Sequence, residues 1–229
     1  MSEPKSVFTK KYAETLAQDQ KAILEEMNLP PALVTWIRAN AQAIKIGIAV
    51  LVILVVGWEA YGNYTARRDG KASTMLYHAI KAATPEERTT LLGEVIDKYG
   101  RTDAGVWARV ELGHIAFKTG DHAQAIERYT AARKAISASA PLYPLVVASL
   151  AQAYENNGDT ANATASYESL LKIKGFEAEA YLGLGRLSEA KGDLAKAMEQ
   201  YENYVNLPGA QGGATRNWVQ NKIARLKQK

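Results

Sequence analysis

The stretch Leu112–Tyr129, LGHIAFKTGDHAQAIERY, returns in altered form as Leu150–Tyr167, LAQAYENNGDTANATASY, and as Leu184–Tyr201, LGRLSEAKGDLAKAMEQY. The Gly-Asp pairs at their centres, Gly120-Asp121, Gly158-Asp159 and Gly192-Asp193, lie 38 and 34 residues apart. Four further positions recur with them. A leucine and then a small residue (Gly113, Ala151, Gly185) stand eight and seven residues before each glycine. An alanine (Ala125, Ala163, Ala197) follows five after it, and a tyrosine (Tyr129, Tyr167, Tyr201) nine after. Each has a physical task. Glycine tolerates the left-handed conformation that ends a helix, and aspartate caps the amides that begin the next. The small residue and the alanine let the first helix of each unit, helix A, approach the second, helix B. The tyrosine fills space toward the following unit. A generic alanine-rich bundle would not repeat four positions together over three copies.

Self-similarity at such a period marks stacked units that each bury a face on the next, and 34 is the tetratricopeptide period. The expected fold is therefore all-α, with a tetratricopeptide-repeat solenoid of three repeats over 105–207. Upstream, 69–104 reads as a degenerate repeat, with helices over Lys71–Ala83 and Pro85–Lys98. Thr84 is the cap and Pro85 the first-turn residue of the second helix. Downstream, after a loop at Leu207-Pro208-Gly209 through Gly213, 214–229 reads as a capping helix. Trp218, Val219, Ile223 and Leu226 share one face of it. End repeats need such a cover for their last apolar surface.

Further toward the N-terminus, Ile46–Trp58 (IGIAVLVILVVGW) carries no charge. It has no polar stripe at helical period, so no face of it asks for water. Widened to Ala39–Trp58 it holds 20 residues and one charge, Lys45. At 1.5 Å per residue that is about 30 Å of helix, the thickness of a hydrocarbon core. Lys45 can snorkel to the headgroups. Trp36 flanks one end and Trp58, Tyr61 and Tyr64 the other, as interfacial aromatics do. A buried core helix has similar length; the flanks and the missing polar stripe favour a single transmembrane helix within 31–68, core 46–58. The run starts too far from Met1 for a cleaved secretory signal, and no A-x-A site follows. Residues 1–30 form a partly helical head: Ser6–Met27 has a loose apolar stripe that Pro30-Pro31 ends. Near the span, Arg38 and Lys45 face Arg67, Arg68 and Lys71, so charge bias does not fix orientation.

Signs of chemistry are sparse. Cysteine is absent, which excludes disulfides, thiolate metal sites and a cysteine nucleophile. The formal net charge of +4 comes with no basic block or interleaved aromatics, so nucleic acid is not an expected partner. His78, His114 and His122 lack ligand spacing. Gly183-Leu184-Gly185 has no strand before it and reads as helix packing rather than a dinucleotide fingerprint. No cofactor, metal, catalytic residue or small-molecule substrate is expected. What remains is the face of the A helices, where Trp107, His114, Phe117, Gln152 and Arg186 are the candidate partner-binding residues. Their mix of aromatic, amide and charge suits a peptide or partner helix.

One span, the aromatic exit Gly57-Trp58-Glu59-Ala60-Tyr61, a degenerate repeat through Leu91–Tyr99, then Leu112-Gly113 and Gly120-Asp121: this order resembles the YfgM-type tetratricopeptide proteins, ancillary subunits of the SecYEG translocon. The resemblance implies a non-catalytic adaptor in the bacterial inner membrane, with the N-terminus cytoplasmic and the repeats periplasmic. It implies translocon subunits, a membrane-anchored periplasmic chaperone and translocating chains as partners. The head Met1–Leu29 is longer than that pattern. The alternative is an envelope-organising scaffold for cell division or outer-membrane assembly. The missing heptads and missing lipid-acceptor cysteine weigh against it.

Overall fold

The computed structural model describes residues 30–208 and 213–228. The helical reading of Ser6–Met27 lies outside the described residues, as do 209–212 of the loop before the last helix. Ten helices and no strand occur among the described residues. The chain divides into two units, one ending at Tyr64 and the other beginning at Thr65.

In the first unit, α1 spans Pro31–Ala39, and α2, Ala41–Ile80, begins. The sequence places one helix over 31–68, and the structure departs from this at an internal break and at the far end. Asn40 interrupts it: its backbone amide and its side-chain Nδ2 both donate to the carbonyl of Trp36, at 3.0 and 2.9 Å. A short amide that bonds back to the main chain competes with helix continuation. At the far end α2 does not stop at Arg68. No proline intervenes before Pro85, and a lone interior Gly70 costs only about 1 kcal/mol against alanine. Over an 18-residue window α2 has a mean hydropathy of 2.2 and none of that window is buried. It is, among the described residues, one helix long and apolar enough to cross a membrane. A core helix would bury these side chains; Ile53 instead is 69 % exposed.

The second unit is a run of antiparallel hairpins. The end of α2 pairs with α3 (Pro85–Tyr99), burying Ala72 and Ala79 with Leu92 and Val95. Thr84 caps α3 by accepting from the Glu87 amide at 3.2 Å. Three hairpins follow: α4 (Asp103–Lys118) with α5 (His122–Ala135), α6 (Tyr143–Asn156) with α7 (Thr160–Leu170), and α8 (Glu177–Ala190) with α9 (Leu194–Asn206). The last helix, α10 (Ala214–Leu226), lies on α9. It buries Val219, Ile223 and Leu226 against Tyr201 and Tyr204. Trp218, expected on that buried face, is 43 % exposed. Its ring stands at 83° to that of Tyr201, 6.3 Å between centres, with the Lys222 ammonium 5.7 Å from its ring centre.

Each Gly-Asp turn does two jobs with one residue. The glycines have φ of +83°, +77° and +80°, the region that penalises any Cβ. The aspartate amide then reaches back five residues to close the old helix, as in Asp121 to the Ala116 carbonyl at 2.9 Å. Its carboxylate caps the new one, accepting from the amides of Gln124, Asn162 and Lys196 at 2.9, 3.1 and 3.1 Å. Such a cap stabilises by about 0.5–2 kcal/mol.

The tyrosines Tyr129, Tyr167 and Tyr201 are the largest fully buried side chains. Their placement refines the expectation that they fill space toward the next repeat. Tyr129 lies flat on Gly113 and Tyr201 on Gly185, each the glycine of its own repeat. A Cβ at those glycines would stand 2.5 and 2.4 Å from ring carbons. In the middle repeat Ala151 fills that space. There Tyr167 lies against Gly183 of the following repeat, where a Cβ would meet the ring at 2.3 Å.

Candidate interaction groove

The spacing of 38 rather than 34 residues between the first two turns has a structural counterpart. Helix α5 has 14 residues where α7 has 11. The segment joining α5 to α6 has seven residues (136–142), against six (171–176) between α7 and α8. The longer connection brings Ile136, Pro141 and Leu142 beside Trp107 of α4. The result is two adjoining open hollows of about 350 and 560 Å³, which share Trp107, Leu142 and Leu145. The larger runs across the A helices of all three repeats, from Val110 and His114 past Ser149 and Gln152 to Phe176 and Glu179. Trp107 is 40 % exposed and Leu145 50 %. Large apolar side chains on a water-facing surface beside a hollow are what a partner covers.

Three of the five candidate residues, Trp107, His114 and Gln152, line this groove together. Gln152 Nε2 donates to Glu179 Oε1 at 2.9 Å, which ties α6 to α8. The His114 ring meets the Tyr129 ring edge-on, 5.6 Å between centres. The other two candidates sit elsewhere. Phe117 packs on the core of the first repeat and lies 5.1 Å from the His122 ring. Arg186 is half-buried and engaged in an ion pair: its Nε and Nη2 donate to the two oxygens of Glu155 at 2.7 and 2.9 Å. Its Nη2 also reaches the Tyr167 hydroxyl at 3.1 Å.

Leu142, Leu145, Phe176 and Glu179 were not singled out from sequence. The only signal for the first two was the four-residue excess in spacing, which marks this connection as unlike the other.

Arg186 belongs to a device that recurs. Twelve residues before Tyr167 stands Glu155, which accepts the phenol proton at 2.7 Å and pairs with Arg186 of the next repeat. Twelve before Tyr201 stands Glu189, which accepts from that phenol at 3.2 Å and pairs with Lys222 of α10 at 3.0 Å. Tyrosine, glutamate and the next unit's cation thus clasp two successive junctions. Burial alone would raise the Glu155 carboxyl, but the bonds from Arg186 and Tyr167 outweigh it and hold it below the ordinary value. Burial, then the Glu155 bond and charge, pushes the Tyr167 phenol up. At the first junction the device is missing. Phe117 occupies the glutamate position and Gln152 the cation position. The groove lies at this junction without a clasp.

No curated protein matches the chain. The helical hairpins lie within residues 35–228, which match one family profile over most of the chain: the chain belongs to the tetratricopeptide repeat-like domain family.

Proposed function

We propose that the chain is a membrane-tethered scaffold that binds other polypeptides in the A-helix groove, as an ancillary subunit or chaperone adaptor at the Sec translocon. Tetratricopeptide-like repeats are typically non-catalytic protein-interaction modules, and membership of the family supports the reading. The observation that carries the reading further is the groove itself, with Trp107 and Leu145 half-exposed at its centre. The long apolar helix α2, with none of its apolar window buried, supports a single membrane span. In this reading the N-terminus is cytoplasmic and the repeats periplasmic in a bacterial inner membrane. The partners are translocon subunits, a tethered chaperone and emerging chains. A tether raises local concentration, so modest affinity suffices.

Site-specific photo-crosslinkers test this in cells. Placed at Trp107 and Gln152 they capture translocon or chaperone partners, while at the exposed Glu168 and Lys196 of the B helices they do not. Equal labelling from both sets removes the groove from the mechanism. Capture of cell-division or outer-membrane assembly proteins instead replaces the translocon with an envelope-organising role.

A further inference from the structure

We infer that the groove selects an apolar polypeptide segment flanked by lysine or arginine; this rests on the groove reading above and narrows it to one chemistry. The centre of the groove is apolar, built on Trp107, Leu142 and Leu145. Its ionised lining is of one sign. Asp103 stands in the smaller hollow and Glu179 in the larger, and no lysine or arginine is among the described residues lining either. The chain as a whole has the opposite bias, with 28 lysines and arginines against 24 acids. An acidic rim on a basic protein is thus a local feature rather than a reflection of composition.

The repeat register explains why the charge is left uncompensated. One repeat further on, the position of Gln152 is held by Arg186, which neutralises Glu155. At the groove the same position is an amide. Gln152 gives Glu179 a neutral hydrogen bond and no charge. Arg186 lies on the same helix as Glu179 and feels it, but its guanidinium is fixed on Glu155. Neither Asp103 nor Glu179 takes part in an ion pair among the described residues. A carboxylate with spare acceptor sites beside a hydrophobic hollow favours a cation supplied by the occupant. A segment bearing large apolar side chains, with a basic residue beyond each end, satisfies the floor and the rim together.

The test uses the full chain in detergent micelles and fluorescently labelled short peptides with the same leucine–phenylalanine centre. One set ends in lysines, the other in glutamates. Fluorescence anisotropy at low salt should give roughly tenfold tighter binding of the lysine-ended peptide, the scale of two rim charges turned from repulsion to attraction. The difference should vanish near 1 M salt, where the screening length is about 3 Å. Asp103→Asn with Glu179→Gln, nearly isosteric changes checked by circular dichroism, should bring the two peptides to equal affinity. Trp107→Ala should weaken both. If both peptides bind the unaltered protein equally and Trp107→Ala still weakens them, charge selection is wrong and the groove stands. If neither peptide binds, or Trp107→Ala changes nothing, the groove reading falls and this inference with it.

Discussion

Replacing Gly185 by alanine adds one methyl group, and the structure says where it must go. The new Cβ would lie 2.4 Å from Cε1 of Tyr201, 2.7 Å from Cδ1 and 2.9 Å from Cζ. Carbon atoms do not approach that closely, so ring or helix has to move. The ring has no easy exit: Tyr201 is fully buried and its hydroxyl is bonded to Glu189 at 3.2 Å. Overpacking of this kind costs about 1–3 kcal/mol. Against it runs the gain of alanine over glycine inside a helix, about 1 kcal/mol. Gly93, in the middle of α3, isolates that gain, because a Cβ there meets nothing within 4 Å. Gly93→Ala should therefore stabilise and Gly185→Ala should not, with roughly 1–3 kcal/mol between them. For a domain of this size each kcal/mol moves the melting temperature by about 2–4 °C. Thermal unfolding of the full chain in detergent, followed by circular dichroism, reads the difference. Adding Tyr201→Leu should remove most of the penalty in the double variant, because the ring is the obstacle. If Gly185→Ala melts as high as Gly93→Ala, the close seating of tyrosine on glycine is not how these hairpins pack.

Three other outcomes follow from the same structure. Glu155→Ala and Arg186→Ala should be strongly non-additive, with a coupling of about 0.5–3 kcal/mol in a thermal double-mutant cycle, whereas Gln152→Ala and Phe117→Ala at the junction without a clasp should add within about 0.5 kcal/mol. Stability should fall at both ends of the pH scale. Glu155 is held below its ordinary 4.5, so its contribution is present above that value and is lost as acid titrates it in the folded state; Tyr129, Tyr167 and Tyr201 are raised above 10.0, so theirs is present below 10.0 and is lost as the pH climbs past it. Removing the Glu155 carboxyl with Glu155→Gln should flatten the acid limb and also soften the alkaline one, because the Glu155 bond and charge help to raise the Tyr167 phenol. Finally, alkaline carbonate should leave the protein in the membrane fraction, and a tag after the C-terminus should become protease-accessible only once the outer membrane is opened; protection inside spheroplasts would invert the proposed orientation.

The features legible in the sequence are those set by local rules. The Gly-Asp turns, the Thr84 cap and the small residues at Gly113 and Gly185 depend on neighbours within one hairpin, and spacing alone exposes them. Local rules also explain where the reading slipped. Asn40 and Gly70 are both weak helix formers, but only the asparagine has a side chain that can rebond to the backbone, so the break falls at Asn40. The clasps were invisible because Glu155 and Arg186 lie 31 residues apart, and their meeting depends on how one repeat is rotated on the next. For the same reason Arg186 looked like a groove residue: its register matches Gln152, but the partner opposite it is a glutamate rather than a phenylalanine. The hollow beside Trp107 depends on the path of residues 136–142, which no periodicity describes.

The double duty of Asp121, Asp159 and Asp193 restricts how such a protein can change length. One residue ends helix A and begins helix B, so an inserted residue would separate the backbone bond from the carboxylate cap and forfeit one of them. The links from each B helix to the next A helix carry no such obligation. Growth by duplication, trimming and insertion is thereby channelled downstream of the turn, and the four surplus residues before Tyr143, three of them in α5 and one in the link that follows, are an instance already fixed in the chain. They are also the residues that widen the groove. In this fold the places where length can vary are the places where a new binding surface can arise.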